Sequence, residues 1–276
     1  MDFAASEQAL TRAELDQRGL LQLPVVVGGV VASAHLPGIA SGRLRLDGPL
    51  LAEVMLGRVR QWNDPRIRAL NPGLPLPALP VTRVVRQDAS GTSLLFTSYL
   101  SRVSADFARS PGRTATLVLD GAVAARGNGG VARAVVDRPG ASGYMEHAFA
   151  AENQLPTIAQ RNRFGSFLGS SPEHIAAAVR AADWELMFID TRPSFELDTI
   201  DAGCPQCWPM VGLSYVIAPA RWADADRAAA FVRFMESIYD RADALLREER
   251  YVPLPSRARN LARVTLRSQL RPAPRG

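Results

Sequence analysis

From Gly19 to Gly42 the chain carries no charged side chain, and this stretch constrains the fold more than any other. It is long enough to cross a bilayer. Gln22, Pro24, Gly28, Gly29, Ser33, His35, Pro37 and Gly38 interrupt it, which argues against a membrane helix. Its centre, Val25 to Val31, is dominated by β-branched residues, so Leu23 to Ala34 reads as a buried strand. The segments around it alternate between helical and extended patterns. Thr11 to Gly19 has a capping-box spacing and a terminal glycine. Pro49 or Leu50 to Leu56 suits a short helix ended by Gly57, and Asn71 to Pro80 is a Pro-rich loop. Val81 to Val85 reads as a strand and Thr92 to Ser101 as a helix. Gly127 to Gly130 opens a helix over Val131 to Asp137, and Ser142 begins a strand. Pro172 to Ala182 reads as a helix capped by Ser171, Val211 to Ala218 as a strand and Asp224 to Tyr239 as an amphipathic helix. Strands alternating with helices predict an α/β architecture with mainly parallel sheets. No repeat of solenoid length is visible.

Charge narrows the function classes. The chain has 276 residues, 47% hydrophobic and 21% charged, an ordinary globular composition with room for one large or two modest domains. The formal charge is +5 and every basic residue is Arg. Seven of these, Arg250, Arg257, Arg259, Arg263, Arg267, Arg271 and Arg275, follow Glu249 with no acid among them. The basic excess therefore belongs to the C-terminal end, and the body lacks the basic balance expected of a nucleic-acid surface. That end reads either as an Arg-rich helix or as an interaction arm. The opening MDFAASEQ has acids where a secretory leader would have basic residues, so no signal peptide is read there.

The segment Val81 to Ser93 is the most informative for chemistry. A strand runs into a polar turn, and a helix begins at Ser90-Gly91-Thr92. Helix-start amides point outward and carry partial positive charge. Gly91 allows close approach, Ser90 and Thr92 add hydroxyls, and Arg86 offers a forked donor with Asp88 placed to hold it. This is an anion cradle. The same residues also describe a capped helix beside a surface ion pair, and local sequence leaves both readings open. Cys204 and Cys207 have a redox-motif spacing without the strand-then-helix setting, so a local disulfide pinning a loop is expected. Two thiols with His174 as the nearest histidine make no metal site, and His35, His147 and His174 read as structural or solvent-facing. Gly127-Asn-Gly-Gly130 fails the dinucleotide pattern, and there is no G-x-S-x-G or P-loop, so no cofactor is expected.

The landmarks in order resemble the PstS-type phosphate receptors of high-affinity phosphate ABC transporters. They are Asp2-Phe-Ala-Ala-Ser-Glu7, Leu23 to Val31, Leu56 to Asp64, Leu70 to Gly73, Arg86 to Thr92, Phe96 to Leu100, Gly127 to Val131, Pro139 to Tyr144 and Trp208-Pro209. The resemblance implies a type II periplasmic-binding-protein fold, with phosphate held between two lobes and no catalysis. It places Arg86, Ser90, Gly91 and Thr92 on the phosphate, Asp88 on the orientation of Arg86, and Glu7 where the family has Asp. A carboxylate only accepts hydrogen bonds, so it takes the P–OH of phosphate and repels sulfate.

Several expectations follow from the resemblance. The first lobe combines residues 1–29 with 211–276, and the second spans 30–210. The chain is periplasmic, monomeric and delivers inorganic phosphate to a membrane permease. A first βαβ segment precedes the D-F-x-A-S-D motif in the family, whereas only Met1 precedes Asp2 here. The first lobe is thus expected to be incomplete, and binding to be weakened by that and by the longer Glu7 side chain. Two rivals are a phosphatase using Ser90 or Thr92 as nucleophile, and an interaction protein acting through its arginine-rich end.

Overall fold

The computed structural model describes residues 2–184, 187, 190 and 192–272. In chain order the elements are β1 (Ala4–Ser6), α1 (Arg12–Arg18), β2 (Leu20–Ala34), β3 (Arg45–Leu46), α2 (Gly48–Met55), α3 (Pro65–Leu70), β4 (Thr82–Arg86), α4 (Gly91–Val103) and α5 (Ala105–Arg109). There follow β5 (Val123–Ala125), α6 (Gly127–Val136), β6 (Ala141–Glu146), α7 (His147–Glu152), β7 (Ala159–Arg161), β8 (Phe167–Leu168) and α8 (Pro172–Ala181). The chain ends with β9 (Val211–Pro219), β10 (Arg221–Trp222), α9 (Ala225–Glu248), α10 (Ser256–Gln269) and β11 (Arg271–Pro272). Among the described residues no helix is long and apolar enough to cross a membrane. The uncharged Gly19–Gly42 stretch holds the long strand β2, whose side chains are mostly buried.

Two compact units form. One comprises Met1–Val27, Ala182–Asp198 and Gly212–Gly276; the other comprises Gly28–Ala181 and Thr199–Val211.

In the first unit β1 pairs antiparallel with β9, Ala5 facing Val216, and β2 lies on the other side of β9. The opening motif is anchored here. Asp2 pairs with Arg227 of α9, and Phe3 stacks on Phe234 at 5.4 Å. Thr11 and Glu14 form the capping box of α1, and Gly19 closes it at φ 62. Residues 192–198 pack on this unit because its polar groups hold their backbone. Arg12 donates to the Pro193 carbonyl at 2.8 Å, Gln22 donates to that of Ser194, and Tyr215 donates to that of Phe195 at 3.0 Å. Helix α9 runs well beyond Tyr239, because the arginines of α10 pair with its acids. Arg263 meets Glu236 at 2.9 Å and also Asp240, Arg259 meets Asp243 at 2.8 Å, and Arg267 meets Glu236 at 2.8 Å. Arg275 lies outside the described residues.

The second unit holds the parallel ladders that position the site. Strand β6 pairs antiparallel with Val30 to Ala34 of β2 and parallel with β4, and β4 pairs parallel with β5. Helix α4 follows β4, while α6 follows β5 and packs on β6 and β4. The approach is close. A Cβ on Gly143 would lie 2.8 Å from Val131 Cγ1 and 3.2 Å from Val135 Cγ2, so only glycine admits α6 at this distance. Trp62 and Trp208 are fully buried packing residues that donate to the carbonyls of Gly140 at 2.9 Å and Val30 at 2.8 Å. The expected disulfide between Cys204 and Cys207 is formed. Its loop is held by the Asn162 amide, which donates to the Pro205 carbonyl at 2.9 Å.

Candidate functional site

Strands β4 and β5 are adjacent and parallel, with Arg86 facing Ala125 across the register. The chain therefore leaves both strands at the same sheet edge, and each exit leads within a few residues to a helix N-terminus. In open α/β sheets this carboxyl edge is where ligands gather. The exit from β4 is the turn Gln87 to Ser90; the exit from β5 is Arg126 alone.

Arg86 is 9% exposed at the end of β4. Its Nε donates to Asp88 Oδ1 at 3.0 Å, its Nη2 donates to Asp88 Oδ2, and its Nη1 donates to Asn128 Oδ1 at 3.2 Å. Asp88 also accepts the Gly127 amide at 2.9 Å, serving as the cap that α6 lacks from its own N-cap side chain. The Arg86 guanidinium, and after it the Gly127 amide, hold the Asp88 carboxyl far below the usual carboxylate range. The pair is thus ionised on both sides and sums to zero charge.

The start of α4 lies next to this pair in sequence. Ser90 is its N-cap, with Oγ accepting from the Ser93 amide at 3.5 Å; Gly91 and Thr92 form the first turn. Thr92 is buried and Gly91 half-buried. Below them, Ser93 Oγ and Tyr144 Oη share a hydrogen bond of 2.7 Å, and Tyr144 accepts the Arg86 amide at 3.3 Å. Tyr144 stacks on Phe96 at 4.2 Å. Burial pushes the Tyr144 hydroxyl pKa up, partly offset by its bond to Ser93, so it stays neutral beneath the site.

Arg86, Asp88, Ser90, Gly91 and Thr92 thus belong to one unit and one edge. Glu7 belongs to the other unit, in the bend after β1, and is exposed. The bend is held by Ser6, whose Oγ donates to the Gln8 carbonyl at 2.8 Å. Sequence reasoning did not assign Asn128, Gly127, Ser93 or Tyr144 to the site. Asn128 lies in the Gly127–Gly130 run, which was read as preceding a helix; it is in fact the first turn of one. The glycine-rich run, one of the landmarks of the resemblance, is the signal the sequence offers, and it does not say which distant side chain the turn meets. Among the described residues no group of three or more His, Cys, Asp or Glu could hold a metal ion.

A family model described as a PBP superfamily domain matches residues 1–237. The phosphate-binding protein PstS of Xylella fastidiosa is 36% identical over 255 residues, covering 92% of this chain and 69% of that protein. The chain belongs to the PBP superfamily, among the PstS proteins. The PstS of Haemophilus influenzae is 34% identical over 256 residues, covering 93% of this chain and 75% of its own. Among solved structures, PfluDING, a high affinity periplasmic phosphate-binding protein bound with phosphate, superposes with a TM-score of 0.73. It is 21% identical, and the match covers 95% of this chain and 78% of PfluDING. A phosphate-binding protein from Stenotrophomonas maltophilia gives a TM-score of 0.69 at 19% identity, over 95% of this chain and 79% of its own. These two likenesses carry the fold, a mixed α/β architecture, and the identity to the PstS proteins carries the family. The alternation of strands and helices pointed to the same class.

Proposed function

We propose that this PstS protein is a receptor that captures inorganic phosphate and hands it to an ABC permease, without turning it over. The observation that carries the reading is the charge-neutral Arg86–Asp88 pair at the sheet edge from which α4 starts. Phosphate is bound there by the Gly91 and Thr92 amides, the Ser90 and Thr92 hydroxyls and the Arg86 guanidinium. Asp88 orients Arg86. Dipoles offset the ligand's charge, and the pair adds direction rather than net positive charge. The names of the relatives support phosphate as the anion. Glu7, assigned through the Asp2–Glu7 motif, accepts a hydrogen bond from the P–OH of phosphate and discriminates against sulfate. The receptor works in the periplasm as a monomer.

The two rivals gain nothing from the site. A phosphatase needs a base or metal beside the nucleophile, and among the described residues neither the Ser90 nor the Thr92 hydroxyl is hydrogen-bonded to a His, Asp or Glu. An arginine arm needs exposed, unengaged arginines, whereas Arg259, Arg263 and Arg267 are paired with acids of α9.

Isothermal titration tests the reading. The chain is expected to bind phosphate at one site, with sulfate at least about tenfold weaker. Arg86→Ala is expected to lose about tenfold to a hundredfold in phosphate affinity. Equal binding of phosphate and sulfate, or full affinity in Arg86→Ala, would contradict it. Turnover of p-nitrophenyl phosphate that disappears in Ser90→Ala would replace binding with catalysis.

A further inference from the structure

The guanidinium of Arg86 is gripped from two directions, and the two grips differ in charge. Asp88 takes Nε and Nη2 with an ionised carboxylate, and Asn128 takes Nη1 at 3.2 Å with an amide oxygen. A guanidinium has only donors, so the Asn128 oxygen, not its NH2, must face Arg86. Asn128 follows Gly127, whose amide donates to Asp88 at 2.9 Å. A single turn of α6 therefore holds both members of the pair, across 39 and 42 residues of sequence.

The chemistry at Nη1 is constrained twice over. The acceptor must be present to fix the third corner of the guanidinium plane. It must also be neutral. With Asp88 ionised, a second carboxylate against Arg86 would give the cluster a net negative charge where an anion has to sit. Resting on the receptor reading above, we propose that Asn128 is a positioning residue that fixes the Arg86 plane through Nη1, and that anion affinity depends on its being an amide rather than an acid. Its neighbour at the turn, Gly127, has φ 68 and holds the backbone in the left-handed region that presents its amide to Asp88.

The test compares Asn128→Ala, Asn128→Asp and Asn128→Ser in the full chain, with inorganic phosphate as the probe. Nitrogen-15 spectra of the Arg86 guanidinium supply a readout that needs no ligand. Rotation about Cζ–Nη1 is expected to be slowed in the unsubstituted chain and released in Asn128→Ala. Phosphate affinity is expected to fall about tenfold in Asn128→Ala and at least about tenfold further in Asn128→Asp, with Asn128→Ser between the unsubstituted chain and Asn128→Ala. A merely structural asparagine gives a different order, because aspartate matches its shape and still accepts from Nη1. Should Asn128→Asp fail to fold, the Ala and Ser variants and the spectra decide the matter. Affinity in Asn128→Asp equal to or above that of Asn128→Ala overturns the inference, as does an Nη1 rotation unaltered in Asn128→Ala. An unsubstituted chain with slowed Nη1 rotation and no phosphate binding overturns the receptor reading instead, leaving the grip on Arg86 standing.

Discussion

Arg86 and Asp88 lie two positions apart at the end of a buried strand, and each makes the other's charge tolerable there. Breaking such a pair from one side leaves a charge with reduced compensation, which is why the two residues have distinct tests. Asp88 has its carboxyl pKa depressed by Arg86 and by the Gly127 amide. The unfolded chain therefore takes up this proton first as pH falls, and stability rises with pH through that window. The contribution is complete above the ordinary carboxylate range, about pH 4. It fades below that, as pH falls toward the lowered folded value. Against Asp88→Asn, the unsubstituted chain is expected to show a higher urea midpoint at pH 7 and a shrinking advantage at pH 3. An advantage that grows toward acid would contradict the assignment. Ser90 separates stability from binding. Its capping bond is long at 3.5 Å, so Ser90→Ala is expected to cost only about 0.5 kcal/mol of stability. Phosphate affinity should fall by a larger factor, measured side by side by thermal melting and titration.

Local chemistry made several elements legible. Thr11 and Glu14 bracket the start of α1 and Gly19 its end; Ser171 and Pro172 open α8; Ser90 caps α4. In each case the residues that specify the boundary are within four positions of it. The elements that escaped were fixed from far away. Strand β5 has three residues, too few for a pattern, and exists because β4 pairs with it. The last turns of α9 are supported by arginines on α10. The site divided the same way. Arg86 to Thr92 could be read as one run, whereas Asn128 and Tyr144 reach Arg86 only once the sheet has formed. The contact of α6 with β6 is testable through Gly143, since an added methyl meets Val131 Cγ1 at 2.8 Å and the Val84 carbonyl at 3.2 Å. Gly143→Ala is expected to destabilise the chain by about 1–3 kcal/mol in denaturant unfolding. A neutral effect would mean that α6 can move away from the sheet without loss. On α10 the buried Leu266 is expected to matter more than the ion pairs: about 2–4 kcal/mol for Leu266→Ala. The exposed pair of Arg267 should contribute under about 1 kcal/mol.

At the scale of the molecule, three of the seven arginines that read as an arm are paired within the first unit. Arg259, Arg263 and Arg267 of α10 face acids of α9, so the chain's positive formal charge does not gather into a free basic surface at these three positions. Each unit has its own core, with Leu15, Phe231 and Tyr239 in one and Phe96, Tyr144 and Trp62 in the other. The ligand chemistry assigned to Arg86, Ser90, Gly91 and Thr92 is carried by the second unit. The most direct test is therefore an amide NMR titration of the whole chain with inorganic phosphate. The Gly91 and Thr92 resonances are expected to move together to saturation, to respond far less to sulfate, and to need about tenfold to a hundredfold more phosphate in Arg86→Ala. Saturable shifts located elsewhere, or an unchanged phosphate requirement at Gly91 and Thr92 once Arg86 is removed, would contradict the account.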